Sequence, residues 1–396
     1  MGYVSWARMK ISEAKFRITQ KPKTLSQTVT ITGNATTPKG KTFTFKDERA
    51  VVSGNYVITK PMLANRHLAT RQTQFFNPMT IDWTVKYKKG SLPKTKTLGS
   101  SKHTVYVTLN KPYTPEFDTL YLTSLHLAVS NQGAKGKMGE AKKQALKKTW
   151  KLFETQKITN WDNKPLYYYK SGHGFKDLAC DDLSALLTMG KGQCDTFEKL
   201  FRATLSANGI SSEQVVISTK ESYVDNVWGM GLRGHLQALS KNWTFKTPSL
   251  SDTGAYKWRL ILKDEGDSVD GMVPANKNNN YADLISEEGV AGQNSPTPSE
   301  KTFGQHFIVK ITDSQAIEDG KLTTLYYDPS YGVAYKGNKE EAERDFEDNA
   351  VDGYFRQFKD KDLEVDADPD SETGYIEAPI YRARKKLGEI GIEFDR

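Results

Sequence analysis

Between residues 28 and 109 the chain returns five times to one pattern: Thr28-Val29-Thr30-Ile31-Thr32, Lys41-Thr42-Phe43-Thr44-Phe45, Tyr56-Val57-Ile58, Ile81-Asp82-Trp83-Thr84-Val85-Lys86-Tyr87 and Thr104-Val105-Tyr106-Val107-Thr108-Leu109. Alternation with period two gives an extended strand one apolar and one polar face, whereas on a helix it would scatter the apolar residues around the whole circumference. Gly33-Asn34 and Pro38-Lys39-Gly40 read as turns between the runs. Five to seven short strands in about 110 residues predict an all-β, immunoglobulin-like sandwich over residues 1–112. Nothing in that stretch resembles a catalytic constellation.

The pattern changes beyond Asn110-Lys111-Pro112-Tyr113-Thr114-Pro115, which reads as a linker. Helices are expected over Leu120–Val129, over Met138–Gln156 with Ala145, Leu146, Trp150 and Phe153 on one side, over Asp181–Met189 ending at Gly190, and over Lys339–Glu347. Strands resume past Val215. Charge divides the chain at the same place. Residues 1–112 hold 20 Lys+Arg against 4 Asp+Glu, and the remainder 36 against 44, beneath an overall net charge of +8. In 396 residues this predicts two domains: a basic β-sandwich, 1–112, and an α+β domain, 113–396.

No apolar run approaches the roughly 18 residues of a spanning helix, and Met1–Arg8 lacks the apolar stretch of a secretory signal. The cytoplasm is therefore the default expectation, with signal-independent export left open. Two cysteines, Cys180 and Cys194, cannot build a disulfide framework and lack zinc-site spacing.

Chemistry gathers around Gly190-Lys191-Gly192-Gln193-Cys194-Asp195-Thr196-Phe197-Glu198-Lys199-Leu200-Phe201. Phe197, Leu200, Phe201 and Leu205 have the spacing of a helix facing a core. A cysteine in the first turn of such a helix sits in the positive field of its N-terminus, which favours the thiolate nucleophile. The alternative is a small core residue, the usual state of a free cysteine and the simplest reading of Cys180. Further on, Phe303-Gly304-Gln305-His306-Phe307-Ile308-Val309 puts a histidine at the head of an alternating strand. Leu325-Tyr326-Tyr327-Asp328-Pro329-Ser330 ends a second strand in an aspartate. Adjacent strands would set His306 beside Asp328, where a carboxylate fixes the imidazole while the other ring nitrogen takes a thiol proton.

The order Gly192-Gln193-Cys194 before an amphipathic helix ending at Asn208-Gly209-Ile210, then a Gln-His strand, then Tyr-Asp-Pro-Ser, resembles the transglutaminase-like superfamily of papain-fold thiol enzymes. The resemblance covers roughly residues 116–335. It implies an α+β papain-like core with Cys194 as nucleophile, His306 as general base and acid, and Asp328 as orienting carboxylate. It also implies an oxyanion hole made partly by the Cys194 backbone N–H. Trp161 is a candidate helper side chain, with a core tryptophan as the alternative. His306 follows Cys194 by 112 residues, a longer gap than bacterial members usually show, so the Gly-, Asn-, Ser- and Asp-rich stretch 219–303 reads as an insertion, a lid or recognition loop. His235 stands at the usual spacing and competes for the base role, without an Asp-Pro-Ser strand behind it.

The expected activity is that of a thiol enzyme on protein or peptide amides, with hydrolysis (peptidase or glutamine deamidase) favoured over cross-linking, because water is always at hand while a lysine acceptor needs its own site. The alternative is a non-catalytic binding or assembly protein on the same fold. No cofactor is expected. Asp366–Glu377 has oxygen ligands at calcium-loop spacing, but Ser371 stands where glycine belongs, and a solvated acidic loop is the better reading. The basic N-terminal domain suits an anionic partner. Its charges are dispersed rather than interleaved with aromatics, which argues against specific nucleic-acid binding.

Overall fold

A computed structural model describes residues 28–66 (39 excepted), 72–110 (90 excepted), 119–168 (132 excepted), 182–219, 291–295 and 305–359. It also describes the short segments 3–4, 10–11, 13–17, 235–240, 245–246, 258–263, 283–284, 302–303, 374–379 and 392–395. The chain forms two compact units: Met1–Lys151 with Ala203–Ser211 and Asp313–Leu322, and Leu152–Arg202 with Ser212–Thr312 and Thr323–Arg396. The first unit thus continues past the expected linker, of which residues 111–115 lie outside the described residues.

The strands of the first unit are β1 (Tyr3–Val4), β2 (Lys10–Ile11), β3 (Lys15–Arg17), β4 (Thr28–Thr36), β5 (Thr42–Ser53), β6 (Tyr56–Ile58), β7 (Met62–Leu63), β8 (Gln74–Lys89) and β9 (Leu92–Val107). Seven of them form one continuous sheet, β1-β9-β8-β4-β5-β6-β3, and β2 pairs with β7. The sheet rolls up on itself. Phe16 of edge strand β3 meets Trp83 of β8 edge-on at 5.1 Å between ring centroids, although β6, β5 and β4 lie between their strands. In a flat sheet four strand steps would hold them about 19 Å apart. Rolling lets Ile31, Phe43, Phe45, Ile81 and Trp83, all inward by the alternation, share one core.

Gly33, expected in a turn, lies inside β4 instead. The Trp83 ring covers it so closely that a Cβ there would be 2.5 Å from Cζ3. The expected turn at 38–40 does close β4 onto β5, with Gly40 at φ +77° and its N–H donating to Thr37 O at 2.8 Å.

Helix α1 (Leu122–Ser130) and most of α2 (Met138–Glu154) also belong to this unit. Two buried side chains tie distant segments of sequence into it. Asn208 donates to Ala128 O at 2.9 Å and accepts from Leu109 N at 3.2 Å. Asp313 pairs with Lys142 at 2.7 Å and takes the N–H groups of Ser211 and Ala316.

The second unit contains β10 (Tyr167–Tyr168), α3 (Leu183–Met189), β11 (Lys191–Gly192), the start of α4 (Cys194–Ala207), β12 (Ser212–Thr219), β13 (His235–Ser240), β14 (Phe245–Lys246), β15 (Trp258–Lys263), β16 (Asp283–Leu284), β17 (Thr302–Phe303), β18 (Gln305–Ile311), β19 (Thr324–Asp328), β20 (Val333–Lys336), α5 (Lys339–Ala350), β21 (Val351–Lys359), β22 (Gly374–Pro379) and β23 (Ile392–Asp395). Its main sheet is antiparallel, in the order β20-β19-β18-β12-β23. Another sheet, β15-β22-β21-β13-β17, draws two of its strands from within the stretch read as an insertion and a third from its end at Thr302–Phe303. α4 packs on the main sheet through Phe201, whose ring lies 4.9 Å from Phe153 and 5.8 Å from Tyr327.

Candidate active site

The two glycines ahead of Cys194 have separate tasks. Gly190 ends α3 in the left-handed region at φ +75°, a conformation that costs a side chain more than it costs glycine, and donates to Leu186 O at 2.8 Å. At Gly192 a Cβ would collide with the Thr196 hydroxyl and approach Leu186 Cδ1 to 3.0 Å. Thr196 occupies that space because its Oγ1 donates to Gln193 O at 2.8 Å. The chain therefore turns sharply into α4 and leaves Cys194 as its first residue, a free and partly exposed thiol at the positive end of the helix.

His306 sits in β18 opposite Ile217 of β12 and is buried, between the rings of Tyr331 at 5.4 Å and Phe346 at 6.1 Å. Asp328 closes β19, the other neighbour of β18, and its Oδ2 lies 2.8 Å from His306 Nε2. The remaining oxygen, Oδ1, accepts from Ser330 N at 3.0 Å and Tyr331 N at 3.3 Å. Pro329 has no N–H, so the first amide the carboxylate can reach is that of Ser330. The Asp-Pro-Ser sequence thus locks its own acid in place.

An ionised carboxylate only accepts, so Nε2 carries a proton and Nδ1 is the ring nitrogen left for the thiol. The Cys194 side chain hydrogen-bonds the same imidazole. Burial by itself would favour the neutral ring. The charge and hydrogen bond of Asp328, joined by those of Cys194, outweigh it and push His306 up to about 10. The second unit thus holds a thiol, an imidazole biased towards imidazolium, and a carboxylate in series.

The other sequence candidates lie elsewhere. His235 opens β13, in the other sheet, opposite Gln357. Trp161 is on the turn between Asn160 and Lys164 and is 49% exposed. Cys180 and residues 366–373 of the calcium-like loop lie outside the described residues.

Two features of the site escaped the sequence reading. Glu198, one turn after Cys194, is fully buried; its carboxylate accepts from Arg202 Nη1 at 3.2 Å and from Gln214 Nε2 of β12 at 3.1 Å. Burial pushes its carboxyl up to about 8 against the Gln214 hydrogen bond and the Lys199 charge. Residues 291–295, inside the expected insertion, pack into the core of the unit, with Gly292 against the Tyr168 ring. A glutamate on a helix and a Gly-Gln-Asn run both read as solvated until tertiary partners are known.

No known family model matches the chain, and no curated protein matches it. Among the described residues no cluster of three His, Cys, Asp or Glu side chains is arranged to hold a metal ion, and no helix is long and apolar enough to cross a membrane.

Proposed function

We propose that the protein is a transglutaminase-like thiol enzyme acting on protein or peptide amides through Cys194, His306 and Asp328. The single observation that carries this reading is the imidazole of His306, held by Asp328 at 2.8 Å and hydrogen-bonded to the Cys194 thiol at the head of α4. In the proposed reaction Cys194 Sγ gives its proton to His306 Nδ1 and attacks the amide carbonyl carbon, and the C–N bond breaks. His306 delivers its proton to the leaving nitrogen, and a thioester remains. Water then adds, its proton passing to His306, and the thioester bond breaks to give a carboxylic acid and the restored thiol. An amine in place of water would give a cross-link; hydrolysis is preferred because it needs no acceptor site. The expected setting is the reducing cytoplasm.

The first unit adds a surface for an anionic partner. Lys86, Lys88, Lys94, Lys96 and Lys102 are exposed on the β8–β9 hairpin, and the stretch between Asp82 and Glu116 holds no acidic residue.

Brief iodoacetamide treatment at neutral pH, read by mass spectrometry, tests the thiol. Cys194 should label selectively over Cys180, and Cys194→Ala should lose turnover while its melting temperature stays nearly unchanged. Full activity in Cys194→Ala would overturn the proposal. A glutamine peptide offered with a labelled primary amine separates the two outcomes: ammonia release or a new terminus marks the hydrolase, and amine incorporation the transferase.

A further inference from the structure

We infer that Gln293 is a positioning residue for this site, clamping the turn that carries Asp328 and thereby setting the Asp328–His306 hydrogen bond. The inference rests on the thiol-enzyme reading above. Gln293 is completely buried, and every polar atom it owns is engaged. Nε2 donates one proton to Phe153 O and the other to Pro329 O, both at 2.8 Å. Oε1 accepts from Ile158 N at 3.3 Å. Its backbone N–H donates to Ser330 O at 2.9 Å, and its carbonyl accepts from Tyr168 N at 2.8 Å.

The carbonyls of both residues after Asp328 thus end on Gln293. The amides of Ser330 and Tyr331 are the two donors that hold Asp328 Oδ1. Where Pro329 and Ser330 point their carbonyls fixes where those amides point, and so where Oδ2 stands relative to His306. A side-chain amide suits this place chemically, since two carbonyl oxygens need two protons from one atom while Ile158 N–H needs an acceptor. A carboxylate would face two carbonyls without a proton to give.

The neighbours of Gln293 are built to the same end. Gly292 has no Cβ where the Tyr168 ring lies 2.5 Å away. Asn294 adopts φ +53° and donates through Nδ2 to Ile158 O at 2.7 Å and Leu166 O at 2.9 Å. Gln293 does not touch the thiol or imidazole, so its effect passes through the turn.

The test measures the iodoacetamide reaction rate of Cys194 in the full chain between pH 5 and 11, beside thermal melting. Gln293→Met keeps the length of the side chain and removes its donors. Asn294→Ala loosens the same clamp by two side-chain bonds and serves where Gln293→Met is poorly folded. In a folded variant the acid edge of the profile, where the thiolate forms beside the imidazolium, should move to higher pH and the rate at pH 7 fall by about tenfold to a hundredfold. Variants that melt earlier yet keep the wild-type pH profile would make Gln293 a structural staple only and overturn the inference. A wild-type Cys194 that reacts no faster than Cys180 would instead remove the thiol-enzyme reading beneath it.

Discussion

Asp328 holds His306 through one carboxylate oxygen, with Oδ2 2.8 Å from Nε2, and keeps the other oxygen for the turn that follows it. Orientation of the imidazole and rigidity of the acid therefore come from one side chain. That division of labour makes the pair sensitive to substitutions that a simple ion pair would tolerate.

Asp328→Asn should leave the turn in place, because an amide oxygen can still accept from Ser330 N. The amide nitrogen, however, cannot accept from Nε2–H, so the imidazole loses its fixed tautomer and its stabilising charge. Turnover is expected to fall by about 10²- to 10⁴-fold. With the largest upward influence on His306 gone, burial pulls its proton off at lower pH. The alkaline limb of a pH–rate profile should move down accordingly, and an unmoved limb would exclude Asp328 from the titration.

Glu198 gives an expectation for stability. Its carboxyl is pushed up to about 8 in the fold against the ordinary glutamate value of 4.5, so between those values the native state binds the proton more tightly than the unfolded chain. Stability from this group is complete below about 4.5 and is lost as pH rises through 8. Glu198→Gln cannot ionise and should lose this dependence. Melting of both proteins at pH 5 and pH 9 should show the wild type declining relative to the variant; parallel curves would mean that Arg202 keeps Glu198 ionised throughout.

Gly192→Ala places a methyl group against the Thr196 hydroxyl and Leu186 Cδ1. Overpacking of this kind costs about 1–3 kcal/mol, and here the strain falls on the two residues just before Cys194. Denaturant titration should register the loss. Cys194 alkylation should slow by more than the unfolded fraction accounts for, and Thr196→Ala, which removes the colliding hydroxyl, should relieve part of it.

The lysines of the β8–β9 hairpin should govern binding to a polyanion. Lys86 and Lys88 face outward on β8 and can be reversed without touching the core. The double change Lys86→Glu with Lys88→Glu should elute from a heparin column at clearly lower salt than the wild type, because each exposed contact is screened by added ions. Amidase activity on a small substrate should be unaffected. Unchanged elution would place the anionic surface elsewhere.

Local pattern was enough to locate strands and helices. The alternation of 28–32 and 81–87, the amphipathic face of Met138–Glu154 and the Gly-Lys-Gly-Gln-Cys entry to α4 are short-range signals that each segment carries within itself. The residues of the candidate site were legible for the same reason: a cysteine opening an amphipathic helix, a histidine heading a strand and an aspartate ending another are local features. Pairing is not local. Nothing in β8 or β9 says that each runs for 16 residues, or that the sheet rolls until Phe16 reaches Trp83. Gly33 looks like a turn because the residue that needs its missing side chain is Trp83, fifty positions on in sequence. Glu198 and Gln293 were opaque for one further reason. Polar residues are solvated by default, and burying one is tolerable only when its hydrogen-bond partners are already in place. Those partners, Arg202 and Gln214 for the first and Phe153, Ile158 and Pro329 for the second, are assembled by the tertiary fold alone.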